Sequence, residues 1–462
     1  MQQRAIQGSP RSLRASSFDD VESPGKLKAA FHSWRVKRRR ALVLGALLSL
    51  LLLRWAIQPR RTQNARPSAP HCAEPLPLMR HEVGDGGFRM DGYNVWGGSA
   101  IHAPEDGRWH LFASRWPESL GHNAWVTSSE VVRATADAPD GPYTFEEVVL
   151  GPRDPGFFDG RMAHNPTVHR DPSSKRYYLF YIGTTYNFEP PRPPAPFDNR
   201  TQYELAWNGK RIGVATAASV RGPWRRKDET LLPPRPGMWD GGITSNPSVV
   251  IHGNGSATLM YKSMKRGYPE RTAKKDSFYL GIAFSKAGPW GPFVRTGPSW
   301  NRPAVSWAGR PLTLEDPFLW RCGGGTWHLL AKTMGRIDAL GLRDAQLIYT
   351  NSSDLEAWAE PQLAYNRTLT FRGGGAAART ASVARLERPQ LIFADGPDAA
   401  PSHGLFGLTE RKQGTCRNVA VPFGRAAWMD PTRDQPSTPP CERGAPVAPR
   451  VAMQQCVSRV AR

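Results

Sequence analysis

Short apolar runs bounded by glycine, proline and aspartate recur along most of the chain. In each copy a small or proline-containing pair precedes a β-branched run, and a turn and an aromatic run follow. The copies begin at Gly97–Ile101, Asn165–Val168, Asn246–Val250, Asp316–Trp320 and Arg388–Ile392. Equivalent positions are separated by 68, 81, 70 and 72 residues. Runs of this composition between turn residues are typical of antiparallel strands.

A third run in each of the first four copies leads to a turn with an aromatic residue, as in Asp140-Gly141-Pro142-Tyr143 and Arg221-Gly222-Pro223-Trp224. Several strands per repeat, a period of about 70 residues and five copies predict an all-β fold, a five-bladed β-propeller over residues 88–423. A pair of β-sandwiches would hold as many strands, but it would not repeat at a fixed spacing.

The N-terminal part of the chain differs from this pattern. Five basic residues between positions 35 and 40 precede an apolar run, which continues past Arg54 to Ile57. These 17 residues reach the lower limit for a membrane-spanning helix, and the basic flank orients its side to the cytoplasm. We therefore expect a cytoplasmic arm (1–40), a transmembrane signal anchor (41–57), a stem linker (58–87) and an irregular tail (424–462). A cleaved signal peptide is the alternative, but the leader is long for one.

This organisation predicts a single-pass type II membrane protein with its body in the Golgi or secretory lumen or outside the cell. Four acceptor sequons, at Asn199, Asn254, Asn351 and Asn366, agree with glycosylation in that compartment. The five cysteines are compatible with two disulfides and one odd thiol, and their spacing resembles no metal site.

The net charge of +21 is unevenly distributed. Residues 1–61 carry 13 Lys and Arg against 3 Asp and Glu, so nearly half of the excess lies in the N-terminal arm. The remaining body is mildly basic and has no nucleic-acid-binding motif. Nucleic acid is therefore not an expected partner.

In a propeller the first strand of each repeat lines a central funnel, so the residues that open these strands converge on one pocket. The pairs at this place are Trp96 and Gly97, His164 and Asn165, Ser245 and Asn246, Glu315 and Asp316, and Glu387 and Arg388. We expect the chemistry of the protein here. The alternative is that Asn-Pro and Asp-Pro steps merely start strands, because asparagine and aspartate favour turns and the residue before proline prefers extended backbone.

The fivefold pattern, the Gly-Pro-aromatic turns and the step Glu315-Asp316-Pro317 resemble the five-bladed propeller glycosidases, most nearly glycoside hydrolase family 43. The resemblance covers about residues 88–410. It implies three acidic residues from the first strands: a general base, a carboxylate that orients and tunes, and a general acid. This chain departs from that pattern, because Gly97-Gly98 and Asn165-Pro166 stand where the family has aspartates.

Three aspartates offer substitutes, since each lies six residues before the opening residue of its repeat. They are Asp91, Asp159 and Asp240. The equal offset predicts an equivalent place at the mouth of the funnel. A recurring Asp-Gly turn explains it equally well.

These observations give two sets of candidate residues. The catalytic candidates are Glu315, Asp316, Asp159, Asp91, Glu387 and His164, the last as a proton donor in place of a carboxylic acid. The substrate-binding candidates are Trp96, Arg161, Asn165, Asn246, Asp240 and Arg388, with the arginines donating to sugar hydroxyls or an acidic sugar. For the arginines, a salt bridge with a neighbouring carboxylate is the structural alternative. No cofactor or metal is predicted.

The expected function is a membrane-anchored glycoside hydrolase, or a hydrolase-like relative, acting on a carbohydrate by carboxylate acid–base chemistry. A carbohydrate-binding propeller without activity is the alternative, and the missing aspartates in the first two repeats favour it. A glycosyl-transferring enzyme is a third hypothesis, although the sequence has no Asp-x-Asp motif in a nucleotide-sugar context.

Overall fold

The structure is a computed structural model that describes residues 80–269, 277–322, 325–373, 376–396, 399–412 and 414–423. The described part is all-β, with mostly antiparallel sheets and few, short helices. The predicted arm, anchor and C-terminal tail, and the stem up to residue 79, lie outside the described residues.

The strands follow one another in sheets of consecutive elements. Strand β1 (Glu82–Val83) precedes the first sheet, β2 (Tyr93–Ala103), β3 (Arg108–Pro117), β4 (Glu130–Ala136) and β5 (Thr144–Leu150). The second sheet holds β6 (Met162–Arg170), β7 (Tyr177–Thr184), β8 (Arg211–Ala217) and β9 (Arg225–Arg226). The third holds β10 (Ile243–Ile251), β11 (Ala257–Met264), β12 (Tyr279–Ser285) and β13 (Val294–Arg295).

A hairpin of β14 (Ser306–Trp307) and β15 (Arg310–Pro311) leads to the fourth sheet. That sheet holds β16 (Leu314–Arg321), β17 (Trp327–Thr333), β18 (Leu347–Ser352) and β19 (Gln362–Tyr365). Strands β20 (Thr368–Gly373) and β21 (Ala376–Ser382) join β1 in a small separate sheet, and the fifth sheet holds β22 (Arg385–Ile392), β23 (His403–Thr409) and β24 (Arg417–Pro422). The helices are α1 (Trp125–Ser128) and α2 (Arg200–Asn208), with 3-10 turns at Glu118–Leu120, His122–Ala124, Gly297–Trp300 and Asp338–Leu340.

The first strands of the five sheets form a closed ring. Strand β2 contacts β6, β6 contacts β10, β10 contacts β16, β16 contacts β22, and β22 contacts β2. The five sheets therefore surround a common axis, as the predicted propeller requires. We call this arrangement the five-sheet ring.

Apolar clusters fill the space between neighbouring sheets. Phe112 and Val131 of the first sheet are buried in one cluster with Leu179 of the second, and Phe180 of the second shares another with Leu259 of the third. Burying side chains of this size contributes about 1.5–3 kcal/mol each. The alternating apolar positions of the strands thus hold the sheets face to face and leave their first strands at the axis.

Each of these first strands carries a β-bulge at the same place, where its pairing with the second strand skips two residues. The first of the two skipped residues has a positive φ in every case: Gly97 (62°), Asn165 (51°), Asn246 (50°), Asp316 (54°) and Arg388 (55°). This left-handed region favours glycine, asparagine and aspartate. Local conformation thus explains the residue type at four of the five positions, and Arg388 is the exception.

Among the residues that the structure describes, no helix is long and apolar enough to cross a membrane. This finding contradicts the predicted type II membrane location, and we withdraw that prediction. Residues 41–57, to which the anchor was assigned, lie outside the described residues.

The two described cysteines differ in state. Cys416 is a buried free thiol, whereas Cys322 forms a disulfide. The partner of Cys322 lies outside the described residues.

Candidate active site

A pocket of about 260 Å³ opens at the axis of the five-sheet ring, beside the five bulges. One wall is acidic and the other is aromatic and basic. The residues that line it include Trp96, Trp116, His122, Trp125, His164, Asn165, Tyr203, Trp207, Lys210, Asn246, Lys262, Glu315, Asp316 and Glu387. All five repeats contribute to the sequence-predicted part of this set, so the ring brings together residues that are far apart in the chain.

Three carboxylates meet on the acidic wall. Glu315, Asp316 and Glu387 each place a carboxylate oxygen within 4.8 Å of the other two. Lys332 lies between the two glutamates, with its Nζ 2.5 Å from Glu315 Oε1 and 2.8 Å from Glu387 Oε1. Lys262 Nζ donates to the other oxygen of Glu315 at 2.9 Å. Buried charges are stable only when they are paired in this way.

The two glutamates hold their protons very differently. Burial acts to raise the pKa of Glu315, but the ammonium groups of Lys262 and Lys332 outweigh it and hold that pKa well below its usual range. Burial raises the pKa of Glu387, and the negative charges of Asp316 and Glu315 raise it further against the opposing effect of Lys332. Glu315 is therefore ionised at pH 7, whereas Glu387 holds a proton more readily than an ordinary glutamate does.

Asp316 is fixed by the neighbouring bulges. Its Oδ1 accepts a hydrogen bond from Asn246 Nδ2, and its Oδ2 accepts one from the Arg388 backbone N–H at 3.2 Å. The Arg388 side chain is 1% exposed, and its Nη2 donates to the Asn165 carbonyl at 3.4 Å. Asn246 and Arg388 thus support Asp316 at the floor of the pocket.

Aromatic rings form the opposite wall. His164 stacks on Trp125 with ring centres 4.7 Å apart, and Trp96 meets His122 edge to face at 5.8 Å. The ammonium of Lys210 lies 3.5 Å from the centre of the Trp207 ring. Aromatic faces of this kind suit the apolar face of a sugar ring.

Two insertions supply this wall. Helix α1, between β3 and β4, carries Trp125. Helix α2, between β7 and β8, begins where the Asn199 side chain accepts a hydrogen bond from the Gln202 backbone N–H at 3.0 Å. Tyr203 and Trp207 are four residues apart, which places them on one face of α2.

Asp159 and Asp240 do not line the pocket. Asp159 is fully buried and accepts hydrogen bonds from Arg153, Arg226 and the Tyr181 hydroxyl. Asp240 has the corresponding partners Arg235, Arg295 and Tyr261. Because both aspartates lie outside the pocket and are held by structural partners there, we no longer assign Asp159 a catalytic role or Asp240 a substrate-binding role.

Asp91 and Arg161 are also placed elsewhere. Asp91 stands in an exposed turn before β2 and borders a different surface pocket with Glu118 and Arg411. The Arg161 guanidinium lies 5.7 Å from the Tyr186 ring and does not line the central pocket. The catalytic assignment of Asp91 and the substrate-binding assignment of Arg161 are corrected accordingly.

His164 lines the pocket but is a poor proton donor. Burial lowers its pKa well below the usual value, and the charges of Arg388 and Lys210 lower it further. The ring is therefore neutral at pH 7, and we no longer assign it the role of a general acid.

The predicted acceptor asparagines lie apart from the pocket. Asn199, Asn254 and Asn366 are exposed, whereas Asn351 is half-buried in β18 and its Nδ2 lies 3.4 Å from the Tyr349 hydroxyl. Asn199 and Asn254 also use their side-chain oxygens to hold local turns. Glycosylation of these residues stays a prediction.

The acidic wall is the place where the described residues could hold a metal ion. The ammonium groups of Lys262 and Lys332 already neutralise charge there. Carboxylates that are committed to lysines make poor ligands for a hard divalent cation, so we assign no metal.

Several pocket residues escape sequence reasoning. Lys262 and Lys332 occupy the same register in β11 and β17, opposite Ser245 and Glu315. Each is a single charge in a mostly apolar strand, and that contrast is the signal that marks a buried functional cation. His122, Trp125 and Trp207 come from insertions outside the repeat and carry no such signal.

No protein-family model and no curated protein matches the chain. Among solved structures it is similar to a family 117 glycoside hydrolase from the marine bacterium Zobellia galactanivorans, at 16% identity and a TM-score of 0.47, over 73% of this chain and 88% of that one. It is also similar to an α-L-arabinofuranosidase from Podospora anserina, solved with cellotriose, at 14% identity and 0.46, over 76% and 98%. A further glycoside hydrolase shares 13% identity at 0.49, over 76% and 93%. All three belong to the class of enzyme that the sequence resemblance names.

Proposed function

We propose that the chain is a five-bladed propeller glycoside hydrolase that cleaves a terminal sugar from a carbohydrate in the axial pocket. One observation carries the proposal: two glutamates share a lysine and titrate in opposite directions. Glu387 retains a proton more readily than an ordinary glutamate, whereas Glu315 stays ionised. Pairs of carboxyl groups with separated pKa values are what glycosidic bond cleavage requires.

Each group then has a role. The carboxylic acid of Glu387 donates its proton to the glycosidic oxygen, so the C–O bond breaks as the leaving alcohol forms. The Glu315 carboxylate faces the positive charge that develops on the sugar ring and bonds to the anomeric carbon as the leaving alcohol departs. A water molecule, deprotonated by the Glu387 carboxylate, then displaces Glu315, so the sugar is released and both glutamates return to their starting states. Asn246 and Arg388 hold Asp316 at the floor of the pocket, where its charge supports the protonated state of Glu387.

The spacing of the carboxylates supports a retaining mechanism. An oxygen of Glu315 lies within 4.8 Å of one of Glu387. Retaining enzymes place the two groups roughly 5–5.5 Å apart, whereas inverting enzymes need roughly 6.5–9.5 Å to admit a water molecule. We therefore propose that the released sugar keeps its anomeric configuration.

The pocket also supports a small, ring-shaped ligand. Its volume of about 260 Å³ suits a terminal sugar better than a long segment of a polymer. Trp96 and Trp207 contribute aromatic rings to its lining, and Asn165 contributes a polar side chain. The proposed substrate is thus a carbohydrate with an accessible end.

The test is hydrolysis of aryl glycosides by the full chain. The panel contains an α-L-arabinofuranoside, a β-D-xyloside and galactosides, and it is run with Glu387→Gln, Glu315→Gln and the exposed control Glu360→Gln. We expect at least a 100-fold loss of kcat in the two pocket variants and none in the control. NMR of the first-formed sugar reports whether configuration is retained.

A binding protein without activity gives a different result. In that case the folded wild-type chain binds a glycan array but cleaves no member of the panel. That outcome would replace the hydrolase proposal.

A further inference from the structure

Two histidines of the aromatic wall are held in the same manner. His122 Nδ1 lies 3.2 Å from the buried Cys416 Sγ, and His164 Nδ1 lies 2.8 Å from the buried Ser129 Oγ. Both rings line the pocket. Within the described ranges neither Nε2 has a hydrogen-bond partner, so each ring is anchored at one nitrogen and faces the pocket with the rest of its edge.

The direction of the Ser129 bond follows from its surroundings. Ser129 is 1% exposed, and the bond to His164 is the one that its hydroxyl makes among the described residues. A hydroxyl that accepted from Nδ1–H would leave its own buried proton without an acceptor, at a cost of about 1–3 kcal/mol. The hydroxyl therefore donates to Nδ1.

Cys416 behaves in the same way. Burial raises the pKa of its thiol to about 11, so it is protonated at pH 7. The Thr409 hydroxyl lies 3.5 Å from Sγ, which gives the sulfur a second partner. An imidazole nitrogen accepts better than a hydroxyl oxygen does, and His122 Nδ1 lies nearer to the sulfur than the Thr409 hydroxyl, so the thiol proton points to His122 Nδ1.

Both rings are neutral. Burial lowers the pKa of His122 to about 4, with Arg385 and Lys332 adding to the effect. A neutral imidazole carries one proton, and a ring that accepts at Nδ1 carries it at Nε2.

We propose that His122 and His164 present Nε2–H to oxygen atoms of the bound sugar, and that Cys416 and Ser129 are positioning residues that fix this tautomer. The inference rests on the proposed function for the identity of the ligand, but the tautomer itself is a property of the free protein. It assigns four residues that the acid–base chemistry does not use. It also explains why a cysteine and a serine are buried beside a polar pocket.

The direct test is NMR of the full chain labelled with ¹⁵N-histidine. The imidazole nitrogen shifts distinguish Nε2–H from Nδ1–H, and His122→Gln and His164→Gln assign the two rings. We expect Nε2–H in both rings, a change in His122 alone in Cys416→Ala, and a change in His164 alone in Ser129→Ala. Cys416→Ser keeps a donor and retains the wild-type signal. An Nδ1–H tautomer in either ring of the wild-type chain overturns the inference for that ring.

Kinetics on a substrate identified by the glycoside panel give the second readout. Loss of one hydrogen bond to the sugar predicts an increase in KM of about 3- to 10-fold in Cys416→Ala and Ser129→Ala, with Cys416→Ser near wild type. An unchanged KM with the predicted tautomer would overturn the contact with the sugar. If no glycoside is cleaved, the same variants are compared for glycan affinity, which separates failure of the hydrolase proposal from failure of this one.

Discussion

Replacement of Lys332 by methionine tests the charge balance of the acidic wall. The Lys332 side chain is 6% exposed and its ammonium contacts both Glu315 and Glu387. At an effective dielectric constant of 20, opposite unit charges about 4 Å apart attract by about 4 kcal/mol. Removing one partner of a buried pair costs about 3–5 kcal/mol, because the remaining charge is left without compensation. Lys262 still neutralises part of Glu315.

We therefore expect Lys332→Met to lower the free energy of unfolding by about 3–5 kcal/mol at pH 7. The loss has a defined pH dependence. The folded-state pKa of Glu315 is depressed below the ordinary 4.5, so its contribution is present above pH 4.5 and is lost as pH falls. The folded-state pKa of Lys332 is raised above 10.5, so its contribution is fully present at pH 7. In the variant the Glu315 carboxylate has lost one ammonium partner and takes up a proton at a higher pH than in the wild type, so the difference in stability between the two proteins shrinks as the pH falls through that range.

The assay is urea unfolding followed by tryptophan fluorescence at pH 7 and pH 4. The exposed Lys286→Met serves as the control. A loss below about 1 kcal/mol, the range for exposed pairs, would show that Lys332 does not stabilise the buried carboxylates. A larger loss at pH 4 than at pH 7 would contradict the expected pH dependence.

Three further predictions concern the bulges, the buried aspartates and the pocket histidine. Gly97→Ala should lower the free energy of unfolding by about 2–3 kcal/mol, because its φ is 62° and a Cβ would lie 2.6 Å from Asn165 Oδ1. The control Gly107→Ala has a φ of 69° in open space and should lower the free energy of unfolding by about 1–2 kcal/mol in the same urea assay. Asp159→Asn should cost about 3–5 kcal/mol by the loss of a buried charge between two arginines, with kcat of the folded variant unchanged; a selective loss of kcat would restore Asp159 as a catalytic candidate. His122→Gln should flatten the pH dependence of stability. In the wild type the unfolded chain takes up a proton at this histidine near pH 6.5 and the folded chain only near pH 4, so the free energy of unfolding falls between these values by up to about 3 kcal/mol. Unfolding at pH 7 and 4.5 checks this against the exposed His102→Gln.

The repeat was predictable from sequence because the five bulges leave a local mark. A strand residue with a positive φ favours glycine, asparagine or aspartate, and proline follows that residue in four of the five copies. The pattern therefore located the axial residues, including Glu315, Asp316 and Glu387. The residue types at the bulges, however, reflect backbone conformation as much as chemistry.

The equal offset of the three aspartates was informative in a different way. Asp159 and Asp240 do occupy equivalent places, but each is matched by a tyrosine of the second strand, Tyr181 or Tyr261. The first sheet has Ala113 at that register, and Asp91 is exposed. Equal spacing in the sequence shows that two residues occupy equivalent positions in the fold. Only their hydrogen-bond partners show whether those residues have a structural role.

The lysines could not be paired with their carboxylates from sequence. Lys262 is 53 residues from Glu315, and the two meet because neighbouring sheets of the ring place β11 beside β16. The pairing decides which glutamate is ionised. It depends on ammonium–carboxylate distances of about 3 Å between strands that no local sequence pattern connects.

The role of Glu387 as proton donor is tested most directly by the rate of aryl glycoside hydrolysis by the full chain, compared with Glu387→Gln and Glu360→Gln. We expect measurable hydrolysis of at least one glycoside, a loss of 100-fold or more in Glu387→Gln, and an unchanged rate in Glu360→Gln. Equal rates in all three proteins, or no hydrolysis by a folded wild-type chain that still binds glycans, would contradict the assignment of Glu387 as the proton donor.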